Sequence, residues 1–275
     1  MRLLLLLSLA FVSCSAPAPR PPSESTTATS IEASVQVGRD EVTPPALPAP
    51  KGPIPPPSLI RTSLGGIPIH AVTFDSRSHF LAVADQPGGP ASKWPDCRVV
   101  GKSLGGIAVI NAGFFTPEGA PLGKVISNGI NAGGVNRASS LGAGFYVRSS
   151  DGRMDLIRRE QFNGGDQALQ SGPFLVERGR AIGQLSDKQS SARSFIAHDG
   201  GTQWIIACTG ACSLKSLANA LAGQSIGSIR LESVLNLDGG RSSELWASEQ
   251  ISNGPHFQRP IWNKNVRNYL VLKTL

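Results

Sequence analysis

Apolar residues along this chain come mostly in short runs broken by Gly, Pro, Asn and Asp, the pattern of many brief strands. Residues 67–74 and 79–84 flank the turn-rich Asp75-Ser-Arg-Ser78 and predict two strands. Residues 107–110 are continuously apolar, as a buried strand requires. Further strand-like runs lie at 143–147, 174–176, 194–197, 204–207, 234–237 and 269–272. One helix is clear. Ser213 suits its N-cap, Leu214, Leu217, Ala218, Leu221 and Ala222 share a face, and Gly223 ends it. Gly-Gly pairs at 65, 88, 105, 133, 164, 200 and 239 mark turns or close backbone approaches. The expected fold is α+β, a single domain with a mixed, strand-rich sheet and a few packed helices. Ser-Leu-Gly-Gly-Ile occurs at both 63–67 and 103–107, but nothing around it repeats, so it is not read as an internal repeat.

The first residues follow different rules. Met1-Arg2, an apolar run over 3–12 and Ser13-Cys14 have the parts of a secretory signal. The run is too short to cross a bilayer, which takes about 20 residues. Phe11-Val-Ser-Cys14 is similar to a bacterial lipobox, with Phe11 where Leu, Val or Ile is usual. It predicts cleavage before Cys14 and lipidation of that cysteine; ordinary signal-peptidase cleavage near Ala16 or Ala18 is the alternative. Ser15 stands where an Asp would mark inner-membrane retention, so the expected location is the periplasmic face of the outer membrane, otherwise the periplasm or the medium. Residues 15–57 hold twelve of the 21 prolines and few large apolar side chains, a composition that favours a disordered, extended tether. The predicted organisation is a signal peptide over 1–13, a lipidated Pro-rich tether over 14–57 and one domain over 58–275.

The whole net charge of +7 falls within 58–275. Its basic residues are scattered, which argues against nucleic acid and suits a small anionic substrate. Three cysteines lie in the domain. Cys208 and Cys212 enclose only three residues and are expected to form a local disulfide, with Cys97 the odd thiol or an alternative partner. A zinc pair at that spacing lacks further Cys or His nearby to complete four ligands. A divalent cation such as Ca²⁺ stays open as a cofactor, although no ligand set can be read from the chain.

Several catalytic signatures are absent. Gly101-Lys102-Ser103 has Asp96 where a P-loop needs its first glycine. Neither Ser-x-x-Lys nor His-Glu-x-x-His occurs. Gly-x-Ser-x-Gly appears at 101–105 and 223–227, but neither copy sits between a strand and a helix as a nucleophile elbow must.

Four segments combine glycine with fixed polar residues. Val109-Ile-Asn-Ala-Gly-Phe-Phe115, followed by Pro121-Leu-Gly-Lys-Val-Ile-Ser-Asn-Gly129, places Asn111 at the end of a buried strand, where its amide can meet a sugar hydroxyl. In Leu169-Gln-Ser-Gly-Pro173, Gln170 and Ser171 precede a forced turn and are candidates to present N–H groups to substrate. Arg193 enters a strand and suits bidentate contact with phosphate oxygens. Leu235-Asn-Leu-Asp-Gly-Gly-Arg-Ser-Ser243 sets the carboxylate of Asp238 just after a strand, followed by Gly239 and Gly240, then Arg241, Ser242 and Ser243 as donors.

In this order the four segments resemble the phosphodiester glycosidase family. Its pattern is similar to Asn-Gly-Gly-Phe-Phe, a Gly-x-x-x-x-x-Gly stretch, Ser-Gly-Pro, Arg-Thr/Ser, and Asn-Leu-Asp-Gly-Gly-Gly-Ser-Ser. Ala112 replaces the first Gly of that pattern and Arg241 the last. The resemblance implies a hydrolase that cleaves a sugar from a sugar 1-phosphodiester of envelope glycan. It implies Asp238 at the anomeric centre or its attacking water, Arg193 and the Gly239–Gly240 turn on the phosphate, and Asn111 on a sugar hydroxyl. Glu118, Glu232 and Glu244 are the candidates for a second carboxylate. The competing expectation is a non-catalytic, glycan-binding lipoprotein.

Overall fold

The computed structural model describes residues 52–275, which belong to one compact unit. The expected signal peptide, Cys14 and the tether up to Lys51 lie outside the described residues. Three sheets and a hairpin make up the architecture, and neighbouring strands are antiparallel throughout. The first sheet runs β1 (Ser58–Leu64), β2 (Ile67–Asp75), β13 (Gln203–Thr209), β12 (Ser194–His198), β16 (Ser233–Asn236), β10 (Phe174–Glu177) and β11 (Arg180–Ala181). The second runs β18 (His256–Gln258), β17 (Leu245–Ala247), β4 (Ala108–Asn111), β19 (Asn268–Thr274) and β3 (His79–Asp85). The third runs β6 (Ile130–Ala132), β5 (Val125–Ser127), β9 (Gln167–Ser171), β7 (Gly144–Arg148) and β8 (Met154–Arg158). β14 (Ser225–Ile226) and β15 (Ile229–Arg230) form the hairpin. With two α-helices among the described residues, α1 (Cys97–Leu104) and α2 (Leu214–Leu221), this is the α+β, strand-rich fold that the pattern predicts, with several antiparallel sheets in place of the expected mixed sheet.

The period of two along each strand sorts side chains between cores. On β13, Trp204, Ile206 and Cys208 enter a central core shared by all three sheets, while Ile205 and Ala207 face the other way. On β19, Leu270 and Leu272 join that central core, and Tyr269 and Val271 point behind the second sheet. Three outer cores result. Leu217, Ala218 and Leu221 of α2, with Ile226 and Ile229, cover the first sheet. Cys97 and Val100 of α1 cover the second, and Val135, Ile157 and Phe162 pack behind the third. Because both faces of the main strands are buried, those strands read in sequence as nearly continuous apolar runs.

α2 begins as predicted, with the Ser213 side chain accepting from the Ser216 N–H. The pattern missed α1, which the Asp96 carboxylate caps by accepting from the Val99 N–H. The twin pentapeptides diverge fully: residues 63–67 make the β1–β2 hairpin, whereas 103–107 end α1 at Gly105, φ +66. Packing starts slightly ahead of Ser58, since Pro57 is buried and its carbonyl accepts from the Ser252 N–H at 3.0 Å. Among the described residues, no helix is long and apolar enough to cross a membrane.

The cysteines correct an expectation. Cys97, Cys208 and Cys212 are all free and buried. Cys208 lies in the central core 3.3 Å from Ser194 Oγ, whereas Cys212 lies in the core beneath α2. Cys212 lies past the end of β13 with its Sγ 3.5 Å from Oγ1 of Thr209, whose side chain alternates to the face opposite Cys208, so the three-residue spacing does not bring the thiols together.

Candidate active site

The polar ends of β4, β12 and β16 meet at one edge of the central core. Phe195 of β12 pairs with Asn236 of β16, so Arg193 and Asp238 leave the sheet side by side. Three backbone bonds fix their exit: Leu237 N–H to Ser194 C=O at 2.8 Å, Asp238 N–H to Ala112 C=O at 2.8 Å, and Gly240 N–H to Ala192 C=O at 2.7 Å. Residues 112, 192–194 and 237–240 thus form one framework, although more than 120 positions separate its ends.

Asp238 is partly exposed at this edge. Burial pushes its carboxyl up to about 6, against the opposing pull of the Ser242 hydroxyl and the Gly239 N–H. The Gly239 N–H donates to Asp238 Oδ1 at 2.9 Å. A partly exposed carboxyl poised near neutrality among polar strand ends is a candidate for acid–base or nucleophilic work.

Both glycines after Asp238 are needed for geometry. A Cβ on Gly239 would stand 2.9 Å from Ala192 C=O, and Gly240 has a φ of +61°. Their amides are already engaged, one on Asp238 and one on Ala192. The expectation that this turn presents N–H groups to phosphate is therefore corrected. The turn packs against Arg193, whose Cδ would lie 3.5 Å from that same Cβ.

Arg193 is half-buried, and its guanidinium donates from Nε to Cys212 C=O at 3.1 Å and from Nη2 to Gln189 C=O at 2.7 Å. Burial lowers its pKa, yet an arginine stays cationic at neutral pH. No ion pair among the described residues engages it. Two backbone carbonyls hold its guanidinium, and its Cδ approaches the Gly239 turn.

Other expected contacts prove to be internal. Asn111 is fully buried: its Nδ2 donates to Asp238 C=O at 2.7 Å, and its Oδ1 accepts from Ser194 Oγ at 2.7 Å and Glu244 N–H at 3.0 Å. It holds the framework from behind and does not face a sugar hydroxyl. Gln170 uses all its polarity on the 124–142 loop, accepting from the Lys124 and Asn136 N–H groups and donating to Asn136 and Gly142 C=O. Ser171 is buried and donates to Asn236 C=O at 2.9 Å. These two brace the site from within, correcting their reading as substrate contacts. Ser242 is buried against the Asp238 carboxyl, and Ser243 is buried, with its carbonyl accepting from Asn263 Nδ2 at 2.6 Å. Arg241 alone of that trio is exposed.

None of the three candidate second carboxylates makes a contact with Asp238. Glu118 is exposed on a loop, where Thr116 bonds its carboxyl. Glu232 lies beyond the other end of β16, its N–H donating to His198 C=O at 3.0 Å. Glu244 is fully buried and pairs with Arg259 at 2.8 Å. Among the described residues no group of three His, Cys, Asp or Glu could hold a metal. A surface cavity of about 620 Å³ lies elsewhere, between α1 and Trp246, and includes none of the predicted residues.

The sequence profile of the phosphodiester glycosidase family matches residues 105–273, which include Asn111, Arg193 and Asp238. The chain belongs to the phosphodiester glycosidase family. A solved relative in fold is the zebrafish N-acetylglucosamine-1-phosphodiester α-N-acetylglucosaminidase catalytic domain, auto-inhibited by its pro-peptide. It is 18% identical over 80% of this chain and 84% of that one, with a TM-score of 0.58. A hypothetical protein from Synechocystis is 20% identical over 80% of this chain and 61% of its own, TM-score 0.53. A putative exported protein from Burkholderia pseudomallei is 10% identical over 75% of this chain and 74% of its own, TM-score 0.54. At such identities these structures establish the fold alone. No curated protein matches the chain.

Of the residues expected to meet substrate, Asp238 and Arg193 are partly exposed and Arg241 is exposed, while Asn111, Gln170, Ser171, Ser242 and Ser243 are buried. Sequence reasoning missed Ser194, whose hydroxyl bridges to Asn111, and the 259–265 loop, which crosses above the Gly240–Ser242 turn. An isolated Trp262 in a polar, turn-rich stretch was the one signal for that loop.

Proposed function

We propose that this chain is a hydrolase that releases a sugar from a sugar 1-phosphodiester of envelope glycan or polysaccharide. The observation that carries this reading is the strand-end framework that sets Asp238, a partly exposed carboxyl raised to about 6 by burial, opposite Arg193, whose Cδ lies against Gly239. A phosphodiester leaving group is already weakly basic, so strong acid catalysis matters less than at an ordinary glycoside. The demand is for charge neutralisation on phosphate and stabilisation of an oxocarbenium-like centre. Arg193 supplies the first, with Arg241 at the rim. Asp238, as carboxylate, supplies the second, either directly or by activating water.

In the same reading, the chain is exported and tethered by a lipid on Cys14 at the periplasmic face of the outer membrane. The purified chain should release sugar from sugar 1-phosphodiesters far faster than from aryl glycosides, assayed with and without chelator. Cleavage of aryl glycosides alone would overturn the substrate class. Tight glycan binding without turnover would instead favour a binding lipoprotein.

A further inference from the structure

Arg241 stands where the family pattern has glycine, and its side chain reaches a second segment. Its Nε donates to Trp262 C=O at 2.7 Å, and its own carbonyl accepts from the Lys264 N–H at 2.8 Å. Asn263 Nδ2 donates to Ser243 C=O at 2.6 Å, and the Asn263 N–H closes a turn onto Pro260 C=O at 3.0 Å. Arg259 anchors the base of the same loop, pairing with Glu244 and donating to Asn265 Oδ1 at 2.9 Å. The loop is therefore bonded directly to the turn that carries Asp238 and Ser242.

At its tip Ile261 is 95% exposed and Trp262 64% exposed, whereas Trp204 and Trp246 are 1% and 7% exposed. The indole is left mostly in water on a loop bonded this many times. Large exposed apolar groups on a fixed frame mark binding surfaces. Arg241 and Lys264 are both exposed beside it, a cationic rim suited to phosphate.

We propose that Trp262, positioned by Arg241, is a specificity-determining residue of this site: its indole stacks on a carbohydrate ring beyond the phosphate, on the far side from Asp238. This rests on the functional reading above. A flat, amphipathic indole matches the apolar face of a sugar ring, and its edge tolerates water.

The test uses the full chain and two diesters of one sugar 1-phosphate, esterified with either a hexose or a methyl group. The wild type should show a KM about tenfold lower for the hexosyl diester, equivalent to about 1.4 kcal/mol. Trp262→Ala should erase that difference through KM, with kcat within about twofold, and Trp262→Phe should restore most of it. Arg241→Gly should weaken both diesters. In parallel, the hexosyl diester should quench intrinsic fluorescence in the wild type but not in Trp262→Phe, a readout independent of turnover. Equal KM values in wild type and Trp262→Ala, without quenching, would overturn the role of Trp262 while leaving the hydrolase reading intact. Quenching without hydrolysis of either diester would sink the hydrolase reading and keep the stacking site. Trp262-dependent binding to phosphatidylglycerol vesicles with unchanged KM would overturn the proposal in favour of a membrane contact.

Discussion

Burial raises the Asp238 carboxyl to about 6, and two measurable consequences follow at this one residue. For catalysis, the ionised form acts, so kcat/KM should climb about tenfold per pH unit below 6 and level off above it. Asp238→Asn should cost on the order of 10²–10⁴ in turnover, with substrate binding and the melting profile at pH 4 preserved. For stability, the sign is the reverse of the usual carboxylate. The folded chain holds this proton more tightly than the unfolded chain, so stability falls as pH rises from about 4 to about 6, by roughly 2–3 kcal/mol. Asp238→Asn should remove that decline and melt higher than the wild type at pH 7, but not at pH 4. Glu244, raised to about 7 by burial, adds its own decline to both proteins and cancels in the comparison. A variant that melts lower at pH 7 would show that the carboxylate is stabilised in the fold. At this scale the sequence was partly legible. Asp238 and Arg193 could be found because a strand end followed by Gly-Gly is a local signal. Asn111, Gln170 and Ser171 were found but misdirected. Their partners are up to 133 residues away, and nothing local tells whether an amide faces a ligand or the protein.

At the scale of elements, the strands were legible where both faces are buried and illegible where they are short. The runs over 67–74, 204–207 and 269–272 lie in β2, β13 and β19, each feeding two cores. β5, β6, β17 and β18 have three residues each, too few to show a period. α1 was missed for a physical reason. Its sequence Cys-Arg-Val-Val-Gly-Lys-Ser-Leu carries a glycine at mid-helix, ordinarily a helix-weakening choice. The fold explains that choice, because a Cβ on Gly101 would lie 2.1 Å from Trp246 Cζ3. Gly101→Ala should therefore destabilise the chain by about 1–3 kcal/mol despite the better helix propensity of alanine, read as a lower Tm. A raised Tm would mean that Trp246 moves aside without cost. On α2 the opposite logic holds. Ser213 accepts from the Ser216 N–H at 3.0 Å, and Ser213→Ala should cost about 1 kcal/mol with no change in kcat.

For the molecule as a whole, three sheets around one core divide the interior into compartments, and the cysteines show what that division does. Cys208 belongs to the central core, Cys212 to the core under α2, and Cys97 to the core behind the second sheet. A disulfide needs Cβ atoms about 3.8 Å apart with matched orientation, and a sheet backbone between two thiols prevents that. An oxidising compartment permits a bond that this arrangement forbids. The three thiols should be unreactive toward a bulky disulfide reagent in the native chain and should all titrate once it is denatured. Reductant should leave Tm unchanged, whereas losing a native disulfide would lower stability by about 2–5 kcal/mol. Fewer than three reactive thiols on denaturation, together with a Tm that drops under reductant, would mean that two compartments communicate. The thiol count therefore tests whether the three cysteines stay in their separate cores.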